Sequence, residues 1–342
     1  VSVGRVFLRL VDLLPVPSLR TQRAIAIAVI LTQGGIAVTG AIVRVTASGL
    51  GCPTWPQCFP GSFTPVPHAE VAVVHQAVEF GNRMITFLVV LTAALAVLAV
   101  VRARRRREVL VYAWLMPAST VVQAVIGGIT VLTGLLWWTV AIHLLASMTM
   151  VWLAVLLYVK IGEPDDGVAV RRVPKPLRQL TFLSGVALAA VLVTGTLVTG
   201  AGPHAGDKSV DAPVPRLQVE IVSLVLVHAT LLVAYLSLLV AMVFALRAVA
   251  APRIVMRRLA VLLALVAAQA LVGRVQYALD IPAALVAIHV AGAAACTAAT
   301  AALWASMRQR TEAQPLQRGL DADDEVALAT VPGVGVQLPP AQ

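Results

Sequence analysis

The sequence predicts an all-α integral membrane protein, with eight transmembrane helices arranged as two pseudo-symmetric, parallel four-helix bundles. Three observations carry this. Apolar residues fill 59% of 342 positions and charged ones only 12%, which is more apolar surface than a soluble domain of this length could hide. Several apolar runs exceed the roughly 20 residues needed to cross a bilayer. Two short patterns also recur at one fixed offset along the chain. The formal net charge is +10, yet the cations lie in short connections between apolar runs. That is a topology signal, and it excludes a nucleic-acid patch.

Residues 1–23 carry Arg5, Arg9 and Arg20 around an apolar stripe and predict a short interfacial helix. No small-residue cleavage site marks them as a signal peptide. Spans follow near 24–46, 71–101, 109–132 and 138–160, forming an N-terminal bundle over 24–160. After a linker at 161–178, further spans near 179–200, 217–246, 257–279 and 282–306 form a C-terminal bundle over 179–306. The segment 307–342 is polar, with an acidic patch at Asp321, Asp323, Asp324 and Glu325, and predicts a disordered tail. Of the 26 Lys and Arg, 21 fall on one side, in the N-terminus, 102–107, 160–178, 247–258 and the C-terminus. The opposite loops hold only Lys208 and Arg216, while Arg44, Arg83 and Arg274 lie inside spans. The positive-inside rule then places both termini in the cytoplasm of a bacterial-type inner membrane.

The first outer loop contains Cys52-Pro-Thr-Trp-Pro-Gln-Cys58. A cysteine pair outside the membrane predicts a disulfide, either as a loop staple or with a redox or docking role. Two cysteines without a nearby histidine are too few for a structural zinc site. Cys296, inside the last span, reads as core packing.

Val140-Ala141-Ile142-His143 reappears as Val286-Ala287-Ile288-His289, and Gln123-Ala124-x-x-Gly127 reappears as Gln269-Ala270-x-x-Gly273, both at an offset of 146. Two matches at one offset indicate a duplicated four-helix unit. An even number of spans per unit makes the halves parallel, related by an axis along the membrane normal. Val-Thr-Gly at 38–40 and 193–195 adds a third match at a slightly different offset. The same offset maps His228 onto Asn82. Positions 82 and 143 in one half, and 228 and 289 in the other, then face one another at similar depth, where a bundle can grip a cofactor from both sides.

Ionisable groups inside a membrane are costly and mark sites. His228 with His289 predicts metal or haem ligation by two imidazoles. His143 faces Asn82, a poor iron ligand, so that half would hold a haem through one strong bond. Glu79 and Arg83 are spaced i,i+4. They form either an intrahelical ion pair or, since Glu79 shares a helix face with Asn82 and His75, a proton relay. His75 is the other candidate ligand, two turns from Asn82 and about 10.5 Å along the axis. Arg44 and Arg274 approach the outer boundary, where they would either snorkel or pair with haem propionates.

Thr39-Gly40-Ala41-Ile42-Val43-Arg44-x-Thr46-x-Ser48-Gly49-Leu50-Gly51-Cys52-Pro53-x-Trp55-Pro56-x-Cys58, then Glu79-x-x-Asn82-Arg83 and the repeated histidines, together resemble the haem A synthase family. The resemblance covers nearly all of 24–306. It implies eight helices in two pseudo-symmetric bundles. It also implies an oxidoreductase that converts haem O to haem A, oxidising a ring methyl to a formyl group for terminal cytochrome oxidases. Two hydroxylations of the methyl would give a gem-diol that loses water. By the resemblance, His228 and His289 ligate a haem b cofactor, and His143 is one of two histidines on the substrate side. Glu79 is the acid of an E-x-x-H-R motif, and Cys52 and Cys58 are the outer-loop pair. The sequence departs from the family at Asn82, where the motif has His. A haem O synthase and an electron donor are the implied partners, and the oligomeric state is left open. The rival readings are a di-haem cytochrome b carrying electrons from quinol and a haem transporter.

Overall fold

The computed structural model describes residues 3–67, 71–207 and 213–311. A short helix α1 (Val3–Asp12) precedes α2 (Leu19–Val45), α3 (Val73–Arg102), α4 (Arg107–Leu132) and α5 (Trp137–Ile161). A strand β1 (Val168–Arg171) leads to α6 (Lys175–Ala201), α7 (Ile221–Ala248), α8 (Arg253–Ala278), α9 (Ala283–Ser306) and β2 (Arg308–Thr311). The eight helices α2–α9 are each long and apolar enough to cross a membrane, so the chain is a multi-pass, all-α membrane protein.

Local chemistry sets the ends. Ser18 caps α2, its hydroxyl accepting from the Thr21 N–H at 3.1 Å, which satisfies one of the donors a helix start leaves open. Pro174, Pro252 and Pro282 occupy the positions before α6, α8 and α9. Inside the spans, Thr and Ser hydroxyls mostly donate to carbonyls three or four residues back, as Thr120 does to Met116 O and Thr297 to Ala293 O. This hides the hydroxyl from lipid.

Within each quartet, consecutive helices touch and the first touches the last: α2–α3–α4–α5 and α6–α7–α8–α9. The quartets meet through α2–α9, α5–α9 and α5–α6. Each quartet has its own apolar core, displaced toward the arginine-rich end. Val29, Met116, Leu157 and Ile161 fill one, and Leu239, Met242, Leu259 and Leu303 the other. A small cluster of Ala37, Met148 and Ala294 joins them. The histidines lie toward the opposite ends, beyond these two cores.

The arginine-rich end is knitted by ion pairs. Arg105 meets Asp165 at 2.8 Å and Gln22 Oε1 at 3.1 Å, Arg106 meets Glu163 at 2.7 Å, and Lys160 meets Glu108 at 3.0 Å. Here β1 and β2 pair antiparallel, Val168 opposite Thr311 and Arg171 opposite Arg308. The segment 307–342, expected as a disordered tail, thus contains a strand over 308–311. Residues 308–311 are ordered because the linker strand satisfies their backbone groups, and Arg172 adds hydrogen bonds to the Gln309 side chain. Residues 312–342, including the acidic patch, lie outside the described residues.

Candidate functional site

The rings of His228 on α7 and His289 on α9 face one another with centroids 6.4 Å apart and planes inclined by 64°. A first-row metal bonds an imidazole nitrogen at about 2 Å. Adding the nitrogen-to-centroid distance of a small ring on each side brings two imidazoles on one ion to about 6 Å between centroids. The pair, meeting edge to face, therefore stands at the centroid spacing of two imidazoles that could hold one metal ion. Each ring is seated against a glycine: a Cβ would come within 3.2 Å of His228 Cε1 at Gly195 and within 3.2 Å of His289 Cε1 at Gly273. The Thr194 hydroxyl lies 3.1 Å from His228 Nδ1. The Gln269 amide donates to the His289 carbonyl at 2.7 Å. His289 Nδ1 is buried with no hydrogen-bond partner, a state that persists only where something else meets the ring or the cost is borne elsewhere. Both rings line a cavity whose walls also include Leu192, Gly195, Thr199, Tyr235 and Gln269, together with Met148 from α5. These residues fit a haem: two imidazoles at ligand spacing, glycines that make room, and apolar walls.

The other quartet repeats the arrangement with one part changed. His143 on α5 sits against Gly127, where a Cβ would come within 3.3 Å of its Cε1, and its Nδ1 is buried without a partner. Gln123 donates to Ser147 Oγ at 2.6 Å and to the His143 carbonyl at 3.4 Å, as Gln269 does for His289. Asn82 on α3 accepts from Thr39 Oγ1 at 2.7 Å, as His228 contacts Thr194. Gly40, the counterpart of Gly195 in the Val-Thr-Gly match, has nothing within 4 Å of a built Cβ, because the shorter Asn82 does not reach where an imidazole would. Among the described residues, the equivalent place in this half presents one imidazole, that of His143.

The remaining expected site residues divide. Glu79 is buried and forms the ion pair with Arg83 at 3.1 Å. Arg83 also donates to the carbonyls of Cys52, Thr54 and Gln57 at 2.8, 3.1 and 3.1 Å, which fastens the outer loop to α3. Cys52 and Cys58 form the expected disulfide. Trp55 of that loop packs flat against Gly128, next to the glycine under His143. His75 lies at the start of α3 with Nδ1 held by Ser48 at 2.9 Å. Arg44 donates to the Thr199 carbonyl at 3.2 Å, across the junction of the halves. Arg274 is exposed on α8, and among the described residues it makes no ion pair.

Sequence reading gave Gln123, Gln269, Gly127 and Gly273 no role beyond marking the repeat. Their structural meaning is now visible: glutamine ties down the histidine's backbone and glycine admits its ring. Thr39 and Thr194 were likewise only repeat markers, and Arg216 only a loop cation.

The fold and this site define a class: polytopic membrane proteins whose membrane-spanning helices bring half-buried histidines together. The profile of the COX15-CtaA family, cytochrome oxidase assembly proteins, matches residues 23–207, and the chain belongs to that family. It is 34% identical over 101 residues to the heme A synthase of Geobacillus kaustophilus, covering 29% of this chain and 30% of that protein. It is 32% identical over 101 residues to the heme A synthase of Geobacillus thermodenitrificans, 29% and 30% of the two chains. It is 30% identical over 116 residues to that of Lysinibacillus sphaericus, 34% and 36% of the two chains. The matched stretch thus spans about a third of these curated relatives' length.

Proposed function

We propose that this chain is a haem A synthase, an oxidoreductase that converts a methyl group of haem O to a formyl group for terminal cytochrome oxidase. The observation that carries the reading is the facing pair His228 and His289 in a second-half cavity, set against a single histidine, His143, in the equivalent place of the first half. The two four-helix units are read as pseudo-symmetric copies. Two imidazoles suit a haem b that only transfers electrons, and one imidazole suits a substrate haem that must leave a face free. A carrier of electrons alone would want both halves doubly ligated.

When bound, haem iron supplies the oxidising chemistry. The chain's own residues do the rest. His143, seated on Gly127 and steadied by Gln123, would orient haem O. Trp55 and the disulfide loop, held by Arg83, would cover that half from its open end and exclude water. Glu79, one turn before Asn82, would hold and pass on a proton. The chain would lie in a bacterial cytoplasmic membrane with both termini in the cytoplasm and receive haem O from a haem O synthase; each of the two hydroxylations would consume one dioxygen as oxidant, with two electrons from a separate donor and two protons, and release one water.

The deciding experiment is co-expression with a haem O synthase in a host without its own enzyme. Haem A should accumulate with the unaltered chain and be absent with His289→Ala, whose purified form should also lose the low-spin bis-imidazole spectrum. Accumulation of haem O alone, with the unaltered chain folded and loaded, would defeat the reading. A full low-spin signal in a His228→Ala, His289→Ala double variant would defeat the ligand assignment.

A further inference from the structure

Two arginines are set together where the halves meet, with no carboxylate for either among the described residues. Arg44, in the last turn of α2, spends Nη2 on the Thr199 carbonyl at 3.2 Å. Arg216, in the connection between α6 and α7, spends Nε on the next carbonyl, Gly200, at 3.1 Å. The carbonyls they grip belong to consecutive residues, which holds the two guanidinium groups near one another. Arg44 Nε and Arg216 Nη2 are buried and meet no hydrogen-bond acceptor. Arg83, Arg105 and Arg106, also largely screened from solvent, each meet a carboxylate instead.

Like charges held together with unmet donors are expensive, and an anion supplying acceptors to both relieves the repulsion and the unmet donors at once. Position names the anion. Thr199, the residue Arg44 grips, also lines the cavity between His228 and His289, together with Thr196 and Gly195. The pair therefore stands at the rim of that cavity, at the end away from the apolar core. A carboxylate presents two oxygens to a guanidinium fork and is the group such donors hold best.

We infer that Arg44 and Arg216 form one carboxylate-binding pair spanning both halves, which seats a propionate of the haem held by His228 and His289. This rests on the haem reading above. It keeps Arg44 from the sequence expectation of Arg44 and Arg274 at the propionates and adds Arg216; Arg274 is exposed on α8. It also makes the first half, through Arg44, a clamp on the second half's cofactor.

The test is titration of the full-length apo-protein in detergent with ferric protoporphyrin IX and with its dimethyl ester, followed by the Soret band and the low-spin spectrum. The free acid should bind at least about tenfold more tightly than the ester. Arg216→Gln and Arg44→Gln should each remove most of that preference while the low-spin spectrum survives. Arg216→Lys, with the charge but not the fork, should keep part of it. Arg216 lies outside the helices, so its two variants decide the matter if Arg44→Gln fails to fold. Equal binding of acid and ester overturns this inference alone. A preference that survives both glutamine variants overturns it too, as does one abolished in the unaltered protein by phosphatidylglycerol, which would assign the pair to a lipid headgroup. If neither porphyrin forms a complex, the haem reading falls and this inference with it.

Discussion

Thr39 and Asn82 in one half, and Thr194 and His228 in the other, are the same contact made with different side chains. Asn82 is shorter, so Gly40 faces open space while Gly195 is packed against a ring. Asn82→His should therefore find room, take the Thr39 hydroxyl as His228 takes that of Thr194, and give the substrate-side haem a second imidazole. Its spectrum should move from high-spin toward low-spin, and carbon monoxide binding should fall. Unchanged spin and carbon monoxide affinity would mean that position 82 does not face the iron. His75→Ala should leave the spin state alone, since Ser48 already holds that ring at the helix start. The glycines give a paired prediction. A methyl at Gly195 would crowd His228 Cε1 at 3.2 Å, and Gly195→Ala should cost about 1 kcal/mol or more of haem-loaded stability, whereas Gly40→Ala should be close to neutral. Equal melting shifts in the two variants would refute the contrast. The histidines were legible because a repeat singles out rare residues. Thr194 was not, because threonine in a span ordinarily satisfies itself on its own helix, as its bond to Ala190 O at 3.0 Å shows, and nothing in the sequence reveals its second contact.

At the scale of elements, hydropathy marks what lies in lipid and says little about where a helix stops. The span expected from 24 begins at Leu19, because Ser18 supplies a cap beyond the apolar stretch, and the span expected from 257 begins at Arg253, after Pro252. The β1–β2 pair was invisible. Its strands are four residues each and far apart in sequence, and they join through backbone groups that any sequence carries. Arg105, Arg106 and Asp165 show how the same end is held by charge. Burial would raise the Asp165 pKa, but the Arg106 N–H and the Arg105 guanidinium outweigh it and hold the carboxyl below its ordinary value of 3.8. A depressed carboxylate stabilises the fold above its unfolded pKa, and that contribution disappears as pH falls through the folded value. Melting temperature in detergent should therefore drop below about pH 4, and Asp165→Asn should lower it at neutral pH while flattening the acid loss. Parallel curves for the two proteins would show that Asp165 carries none of the effect.

For the whole molecule, two features support one proposed orientation. By the cation bias, the end carrying Arg105, Arg106 and the β pair would lie in the cytoplasm. The Cys52–Cys58 disulfide lies at the opposite end, and a disulfide belongs in an oxidising compartment, so redox chemistry and charge favour the same arrangement. In that arrangement the histidines, the arginine pair and the disulfide loop all sit toward the outer face, while both apolar cores and the ion-pair network sit inside. Haem would then be handled in the outer leaflet, and electrons from a cytoplasmic donor would have to cross the packed cores. Single cysteines decide the orientation, since Cys296 is buried and the other two are paired. Gln218→Cys places a thiol in the exposed segment before α7, and Val170→Cys places one on exposed β1. In intact spheroplasts a membrane-impermeant maleimide should label the first and spare the second, and lysis should open both to reagent. Non-reducing mass spectrometry of the unaltered protein should show the Cys52 and Cys58 peptides joined. Labelling of Val170→Cys alone in intact cells would invert the molecule and place the disulfide in a reducing compartment, contradicting both lines at once.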